Sequence, residues 1–556
     1  MGLWRGEAGE GQLAATTVTA RYREVLRVLA RNGFGFVVGG RGQRRALNED
    51  ETELRTRPVR LRRVFEELGT TFIKLGQILS TRQDLLPPAY IAELQKLQDA
   101  VPPLPTPVIV RAIEAELGQP VAALFTAFDP VPLAAASIAQ VHAVTLPGGI
   151  DAVVKVQRPG VREQVALDLE IAARLAGLIA GRLNLAERLG LDLPALVEEF
   201  TYTLRGELDY LREARNAEAF ANNFAGESSI YIPAICWEYT TPRLITMERL
   251  RGVRIDDLPA IRAAGYDPAA LAVRSARLVL KEVFEDGFFH ADLHPGNLFV
   301  MPGDVIGVVD FGMVGRLDET TRTQLLLLVI AVVDQDADRI TDSLARLGVV
   351  SGISDRTSLR RDIQRLVAEY YGLALDQVDL GRLVTDLSII TRRHALTLPP
   401  DLALLLKMLL MIEGVARTLD PAFNILAVAQ PYGAEAIKSL FTPERIRQQL
   451  LRTAFDLADL GVDLPRRLDR VLRSTEQSSF TAREAADRAQ RLVQTAVNRL
   501  ALGVLIGAFI IGLAIVIFAV HPGVNDLLLR LMLLGGFAAV GVLGLVFFVS
   551  FLRSGR

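Results

Sequence analysis

The stretch His290-Ala291-Asp292-Leu293-His294-Pro295-Gly296-Asn297, followed by Asp310-Phe311-Gly312, constrains this 556-residue chain more than any other feature. It contains an acid, an amide five residues later (297 − 292 = 5) and a second acid 18 residues on (310 − 292 = 18). That order suits phosphoryl transfer. The first Asp would orient the attacking oxygen, while the Asn and the second Asp hold metal ions that bridge phosphates. The interval leaves room for a hairpin, and Val305 to Val309 reads as the strand entering the Asp-Phe-Gly turn. The bland alternative is a chance grouping of polar loop residues. Agreement of three positions in order and spacing weighs against it.

Upstream signals are weaker one by one. Ala152-Val153-Val154-Lys155 reads as a strand whose Lys would touch the α- and β-phosphates, although a solvent-facing strand lysine is commoner. A helical Glu should pair with that Lys. Glu213, at the end of Glu207-Leu208-Asp209-Tyr210-Leu211-Arg212-Glu213, is the candidate, with a solvated acidic face as the alternative. Asp209 and Glu213 lie four apart on one helix face. A glycine-rich loop should precede Lys155, but the chain has Leu133-Ala134-Ala135-Ala136-Ser137. Alanine resists the positive φ angles that let a loop wrap phosphates, so this stretch alone counts against the phosphoryl-transfer reading. Thr246 to Leu250, then Arg251-Gly252, reads as a strand running into a hinge whose backbone would bind adenine.

Hydrophobic spacing supplies the rest of the body. Val64, Phe65, Leu68, Phe72, Ile73 and Leu79 recur at three- and four-residue steps, opposite a polar stripe of Thr70, Lys74, Gln77 and Thr81. Pro87-Pro88 ends that helix, and a second, about Tyr90 to Ala100, stops at Pro102-Pro103. Ala136 to Val144 and Ala152 to Gln157 read as strands around the turn Pro147-Gly148-Gly149. A long helical region from about Val161 to Phe224 follows, then strands at Ile230 to Ile235 and Arg243 to Met247. From Ile255 to about Pro431 the pattern is mostly helical.

Composition narrows the function classes. Sixty-two basic and 64 acidic residues give 62 − 64 = −2, which excludes a basic nucleic-acid coat. The single cysteine, Cys236, excludes an internal disulfide and a cysteine-rich metal centre. Half of the residues are hydrophobic, and the surplus sits at the end. Leu500 to Val520 is 21 residues without a charge, roughly 31 Å as a helix, about one bilayer core. Leu531 to Leu552 is a second such run, so a transmembrane hairpin is expected, with Gly503 and Gly507 on a packing or dimer face. Arg483, Arg488, Arg491 and Arg499 before the first run, and Arg553 and Arg556 after the second, place both ends in the cytoplasm. The first twelve residues carry no signal-peptide or myristoylation pattern. Arg41 to Arg63 holds eight arginines and four acids, a stretch that suits either anionic lipid or a solvated arm.

Four features together resemble the UbiB-like (AarF) atypical kinases linked to ubiquinone biosynthesis. Lys74-Leu75-Gly76-Gln77 is similar to that family's KxGQ signature, and Ala134-Ala135-Ala136-Ser137 to its alanine-rich replacement for the glycine loop. Glu207-Leu208-Asp209 is similar to its ExD signature, with Glu213 at the place of the lysine-pairing glutamate. The His290 to Asn297 and Asp310 to Gly312 segments match its catalytic and metal motifs. The resemblance implies an α+β, protein-kinase-like two-lobe fold with a helical extension lying across the cleft. The expected layout is an irregular basic arm over 1–60, the extension over 61–125, an N-lobe over 126–250 and a C-lobe over 251–440. Arg-rich amphipathic linker helices over 441–499 and the transmembrane hairpin over 500–552 complete it.

The resemblance also implies roles. Asp292, Lys155 and Glu213 would be catalytic. Ala134, Ala135, Ala136, Ser137, Lys155, Glu248 and Leu250 would bind ATP. Asn297 and Asp310 would hold Mg²⁺, and Lys74, Gln77, Glu207 and Asp209 would gate the pocket. The implied partners are membrane lipid, quinone precursors, quinone-biosynthesis enzymes and a second copy of the chain, without nucleic acid. The implied location is the bacterial cytoplasmic membrane. Two other readings stay open. One is a small-molecule phosphotransferase of the aminoglycoside or choline kinase type, which would lack Lys74-x-Gly-Gln and the hairpin. The other is a nucleotide-gated lipid-binding scaffold without transfer activity.

Overall fold

The computed structural model describes residues 7–429, except 36–50, 81, 83–84, 98–100, 184–191, 350–355, 370–379, 395, 397 and 426–427. The chain divides into two units, Met1–Leu440 and Phe441–Arg556, and the second lies outside the described residues.

The helical extension comes first: α1 (Glu7–Leu29), α2 (Glu51–Leu68), α3 (Thr70–Leu79) and α4 (Pro88–Leu94). Residues 1–60, expected to be irregular, therefore include one helix and the start of a second. Val25 and Val28 of α1 are buried with Val64, Phe65 and Leu68 of α2 and Phe72 of α3. Arg21 bonds Asp168 at 2.8 Å and the Leu68 carbonyl at 2.6 Å, and Thr71 Oγ1 bonds Asp168 at 2.7 Å. Gly69, at φ 89°, separates α2 from α3, a conformation glycine adopts without a Cβ clash. Gly76 has a packing reason: a Cβ there would lie 2.3 Å from Leu97 and 2.5 Å from Phe65. Of the long Arg-rich stretch, residues 41–50 lie outside the described residues. Arg62 within it is paired to Glu66 and Glu93.

The N-lobe follows. It holds α5 (Thr106–Leu117), α6 (Val121–Leu124), β1 (Ala127–Phe128), β2 (Ala134–Ala135), β3 (Ala139–Leu146) and β4 (Ile150–Gln157), then α7 (Val161–Leu183), α8 (Leu193–Glu207) and α9 (Tyr210–Asn223). The expected long helical region from about Val161 to Phe224 thus comprises three helices, the last capped by Asp209. Next come β5 (Ile230–Tyr231) and β6 (Leu244–Glu248). The lobe's antiparallel sheet runs β1-β3-β4-β6, with β2 on β3. Its branched residues Val144, Val154, Val156 and Leu244 are buried on Ile109 and Ile113 of α5.

The C-lobe continues with β7 (Val253–Arg254), α10 (Leu258–Ala263), α11 (Pro268–Lys281), β8 (Phe288–His290), β9 (Leu298–Met301), β10 (Val305–Val308) and β11 (Val314–Arg316). The helices α12 (Glu319–Val333), α13 (Ala337–Arg346), α14 (Arg356–Glu369), α15 (Leu380–Arg393) and α16 (Pro400–Leu419) follow. The order β5-β10-β9-β7 forms one sheet, and β8-β11 a ribbon. Aspartates 192, 209, 257, 267, 318 and 336 cap α8 to α13 by accepting backbone N–H bonds. The largest core gathers Phe220, Leu278, Phe289, Phe311, Met408 and Ile412. The result is a mixed helix-and-sheet, kinase-like fold.

The expected location in the cytoplasmic membrane is corrected here. Among the described residues no helix is long and apolar enough to cross a membrane. The linker helices expected over 441–499 and the two runs over 500–552 lie outside the described residues.

Candidate nucleotide site

Lys155 stands on β4 between Val141 and Ile245 of the neighbouring strands. Its ammonium donates to Glu213 Oε1 at 2.8 Å and Oε2 at 3.0 Å, and to Asp310 Oδ1 at 3.2 Å. It lies 5.3 Å from the Tyr210 ring centroid. One strand, one helix and the Asp-Phe-Gly turn thus meet at a single charge. Burial works against that charge, but Asp310 and Glu213 hold the Lys155 pKa well above its ordinary value.

Glu213 is more enclosed than Glu207, Asp292 and Asp310, only 2 % exposed. Burial pushes its carboxyl up to about 7, with Lys155 pulling the other way. The nearby Asp310 and Glu207 carboxylates add to the effect of burial. Between the ordinary 4.5 and about 7, the folded protein keeps a proton that the unfolded chain has released, so stability falls as pH rises through that window. Glu213→Gln removes this contribution. Its melting temperature should decline less than that of the unmodified chain between pH 5 and 7.5, and an equal decline would contradict the assignment.

Phe311 is fully buried, 5.1 Å from Phe220 and 5.5 Å from His290. Asn216, one turn after Glu213 on α9, donates to the Phe311 carbonyl at 2.9 Å. These contacts fix the turn and leave Asp310, at φ 65°, directed to Lys155. A left-handed aspartate is sparsely populated and needs such support.

The loop after β8 is organised from beneath by His290, which is fully buried. Its Nε2 lies 3.2 Å from the Val309 carbonyl, which can only accept, so Nε2 carries the hydrogen. Nδ1 then accepts from the Asp292 N–H at 3.1 Å. Burial lowers the His290 pKa, which keeps that neutral tautomer. Asn297 Nδ2 donates to the Asp292 carbonyl at 3.0 Å, and His294 Nδ1 accepts from the Gly296 N–H at 3.0 Å. Asp292 Oδ1 accepts from Lys407 Nζ at 2.8 Å. Burial would raise the Asp292 pKa, but Lys407, then His294 and Lys74, hold it far below the usual carboxylate range.

The expected gating residues divide. Lys74 on α3 pairs with Glu207 at the end of α8, 3.3 Å apart. Gln77 instead donates to the Leu97 carbonyl at 3.2 Å, which ties α3 to the segment after α4. Asp209 accepts from the Leu211 N–H at 3.2 Å as the cap of α9. Ala134 and Ala135 form β2, and the Ala136 N–H closes a turn onto the Ala139 carbonyl at 2.9 Å. No residue of this turn takes a positive φ. Buried Ser137 receives a bond from Thr70 of α3 on its carbonyl at 3.3 Å, and Arg158 Nε donates to the Ala136 carbonyl at 2.9 Å. The alanine segment is therefore a pinned hairpin, not a mobile loop.

Glu248 ends β6; its carboxylate accepts from the Tyr231 hydroxyl at 2.6 Å, and its N–H donates to the Ala234 carbonyl at 2.9 Å. The segment after β6 is clasped to β4: the Arg249 N–H donates to the Asp151 carbonyl at 3.1 Å, and Arg251 pairs with the Asp151 side chain at 2.6 Å. Leu250 lies over β10, where a Cβ on Gly307 would come within 2.7 Å of it. Asn216, Tyr210 and Lys407 were not singled out from the sequence. Only the spacing of Asn216, three residues after Glu213, offered a local signal.

Among the described residues no group of three or more His, Cys, Asp or Glu could hold a metal alone. The Asp310 carboxylate and the Asn297 side-chain oxygen are the oxygen donors here that would hold a hard divalent cation, which would need further ligands from outside the chain.

The fold and the site define an atypical kinase-like protein. An ABC1 atypical kinase-like domain profile matches residues 96–344, a UbiB helical domain profile 363–424, and an ABC1/UbiB kinase-like C-terminal domain profile 484–553. An uncharacterized protein of Synechocystis is 37% identical over 432 residues, 77% of this chain and 73% of that one. An uncharacterized protein "in hydrogenase 1 5'region" of Clostridium pasteurianum is 31% identical over 539 residues, 96% of this chain and 99% of that one. A probable protein kinase UbiB of Xanthomonas axonopodis is 34% identical over 489 residues, 85% of this chain and 87% of that one. The chain belongs to the UbiB-like family of atypical kinases.

Proposed function

We propose that the chain binds ATP with Mg²⁺ and transfers or hydrolyses its terminal phosphoryl group in support of isoprenoid quinone biosynthesis. The observation that carries this reading is the Lys155 ammonium held jointly by Glu213 and Asp310 within one cleft. Adenine binds the backbone between Glu248 and Gly252, and the alanine hairpin roofs the phosphates. Lys155 takes the α- and β-phosphates, and Glu213 sets its position. Asp310 and Asn297 would hold Mg²⁺, which would supply charge neutralisation to the phosphates. Asp292 orients the attacking oxygen.

The acceptor is small, or is a small part of a larger apolar molecule such as a quinone precursor. The space beside Lys407 is a pocket of about 150 Å³ lined by the apolar Ile78, Met313 and Leu404 and by the charged Arg82, Glu199 and Arg212. The ion pair of Lys74 with Glu207, 3.3 Å apart, supports a gating role for both, in which they would hinder entry of a peptide.

The test is incubation of the full chain with ATP labelled on the γ-phosphate, with and without a quinone-like precursor. Mg²⁺-dependent phosphate release is expected, and a labelled acceptor would select the kinase branch. Absence of both would overturn the proposal.

A further inference from the structure

Lys407 lies in α16 within Leu402-Ala403-Leu404-Leu405-Leu406-Lys407-Met408-Leu409-Leu410, the one charge in nine residues. The helix turns Leu402, Leu405, Met408 and Ile412 into the core. Lys407 points the other way and is only 20% exposed. Desolvating an ammonium on a helix this apolar is costly unless it is paired, and its ion-pair partner among the described residues is Asp292. The two are 115 positions apart in sequence. Asp292 keeps 29% of its side chain exposed, and the bond from Lys407 falls on its Oδ1. Lys407 also walls the small cavity where the acceptor is placed, one turn after Ala403 and Leu404.

We propose that Lys407 is a positioning residue for phosphoryl transfer: it holds one oxygen of Asp292 so that the other aligns the attacking oxygen beside the α16 cavity. This inference rests on the phosphoryl-transfer reading above. It gives the helical segment matched at residues 363–424 a place in the chemistry as well as in the core. An ammonium fits the position because it fixes the carboxylate while staying compact. It also keeps positive charge near the oxygens where negative charge develops. A bulk-packing role would be met equally by methionine, which has a similar length and no charge.

The experiment compares the full chain with Lys407→Met and Lys407→Arg in steady-state ATP turnover, with Mg-ATP affinity and melting temperature measured on each. Lys407→Met is expected to lower kcat on the order of 10²-fold, the cost of losing one preorganised electrostatic contact, with KM for Mg-ATP changed less than about threefold. Lys407→Arg, which keeps the charge, should recover most of the lost kcat. A Lys407→Met enzyme with unchanged kcat would overturn the proposal. So would equal losses in both variants together with lowered melting temperatures, because that pattern marks a structural role. If the unmodified chain itself turns over no ATP, the phosphoryl-transfer reading fails and Lys407 falls with it. That outcome is distinct from an active parent with an equally active Lys407→Met variant.

Discussion

Asp310→Asn is expected to abolish the Mg²⁺-dependent part of ATP binding while leaving the fold in place. The carboxylate sits at a left-handed backbone position, bonded to Lys155 at 3.2 Å and supported by the Asn216 clamp on Phe311. An amide of the same shape keeps the packing but removes the negative charge that a hard divalent cation requires. Asp310 is also a charge partner of Lys155, so its loss leaves that ammonium to Glu213 alone. Affinity for Mg-ATP should fall at least on the order of 10²-fold, about 2.7 kcal/mol by the affinity relation. Titration calorimetry on the full chain with Mg²⁺ present and chelated is the check. Unchanged affinity in the presence of Mg²⁺ would remove Asp310 from the site.

Asp292→Asn is the second large effect. The carboxylate is ionised, bonded to Lys407 and carried on a loop that His290 and Asn297 fix by its backbone. The substitution preserves those backbone bonds and removes the anion that would align and accept from the attacking oxygen. Turnover is expected to fall by roughly 10²- to 10⁴-fold, with Mg-ATP affinity close to that of the unmodified chain. Comparable losses of affinity and rate would instead place Asp292 in ground-state binding.

The difference between these two variants also explains what could be read from the sequence. Asp292, Asn297 and Asp310 lie within nineteen residues of one another, so spacing alone announced them. Lys155 and Glu213 were legible as types at plausible distances, and the fold brings them to 2.8 Å. Lys407 gave no such signal. Its meaning comes from a contact spanning 115 positions, and within an apolar helix it reads as an isolated charge. Gln77 and Asp209 were marked by their motifs alone, and the structure adds a backbone partner for each, the Leu97 carbonyl for Gln77 and the Leu211 N–H for Asp209.

The N-terminal arm is instructive for a different reason. Its arginines and glycines suggested irregular chain, yet Tyr22, Val25, Val28 and Leu29 already carried helical spacing. They pack against α2, α3 and α7, and Arg21 locks α1 to buried Asp168. The alanine segment was harder to interpret. Alanine's resistance to positive φ argued against a phosphate loop, and the segment indeed takes none. It forms a hairpin whose shape is imposed by Thr70 and Arg158 from distant elements. A local propensity argument had no access to those partners.

Binding of ATP to the full-length chain at increasing Mg²⁺ most directly tests the central claim, that this cleft is a Mg-nucleotide site. Saturable binding of one nucleotide per chain that strengthens with Mg²⁺ is the expected result. Failure of ATP to bind at any Mg²⁺ concentration, in a chain that melts cooperatively, would contradict it.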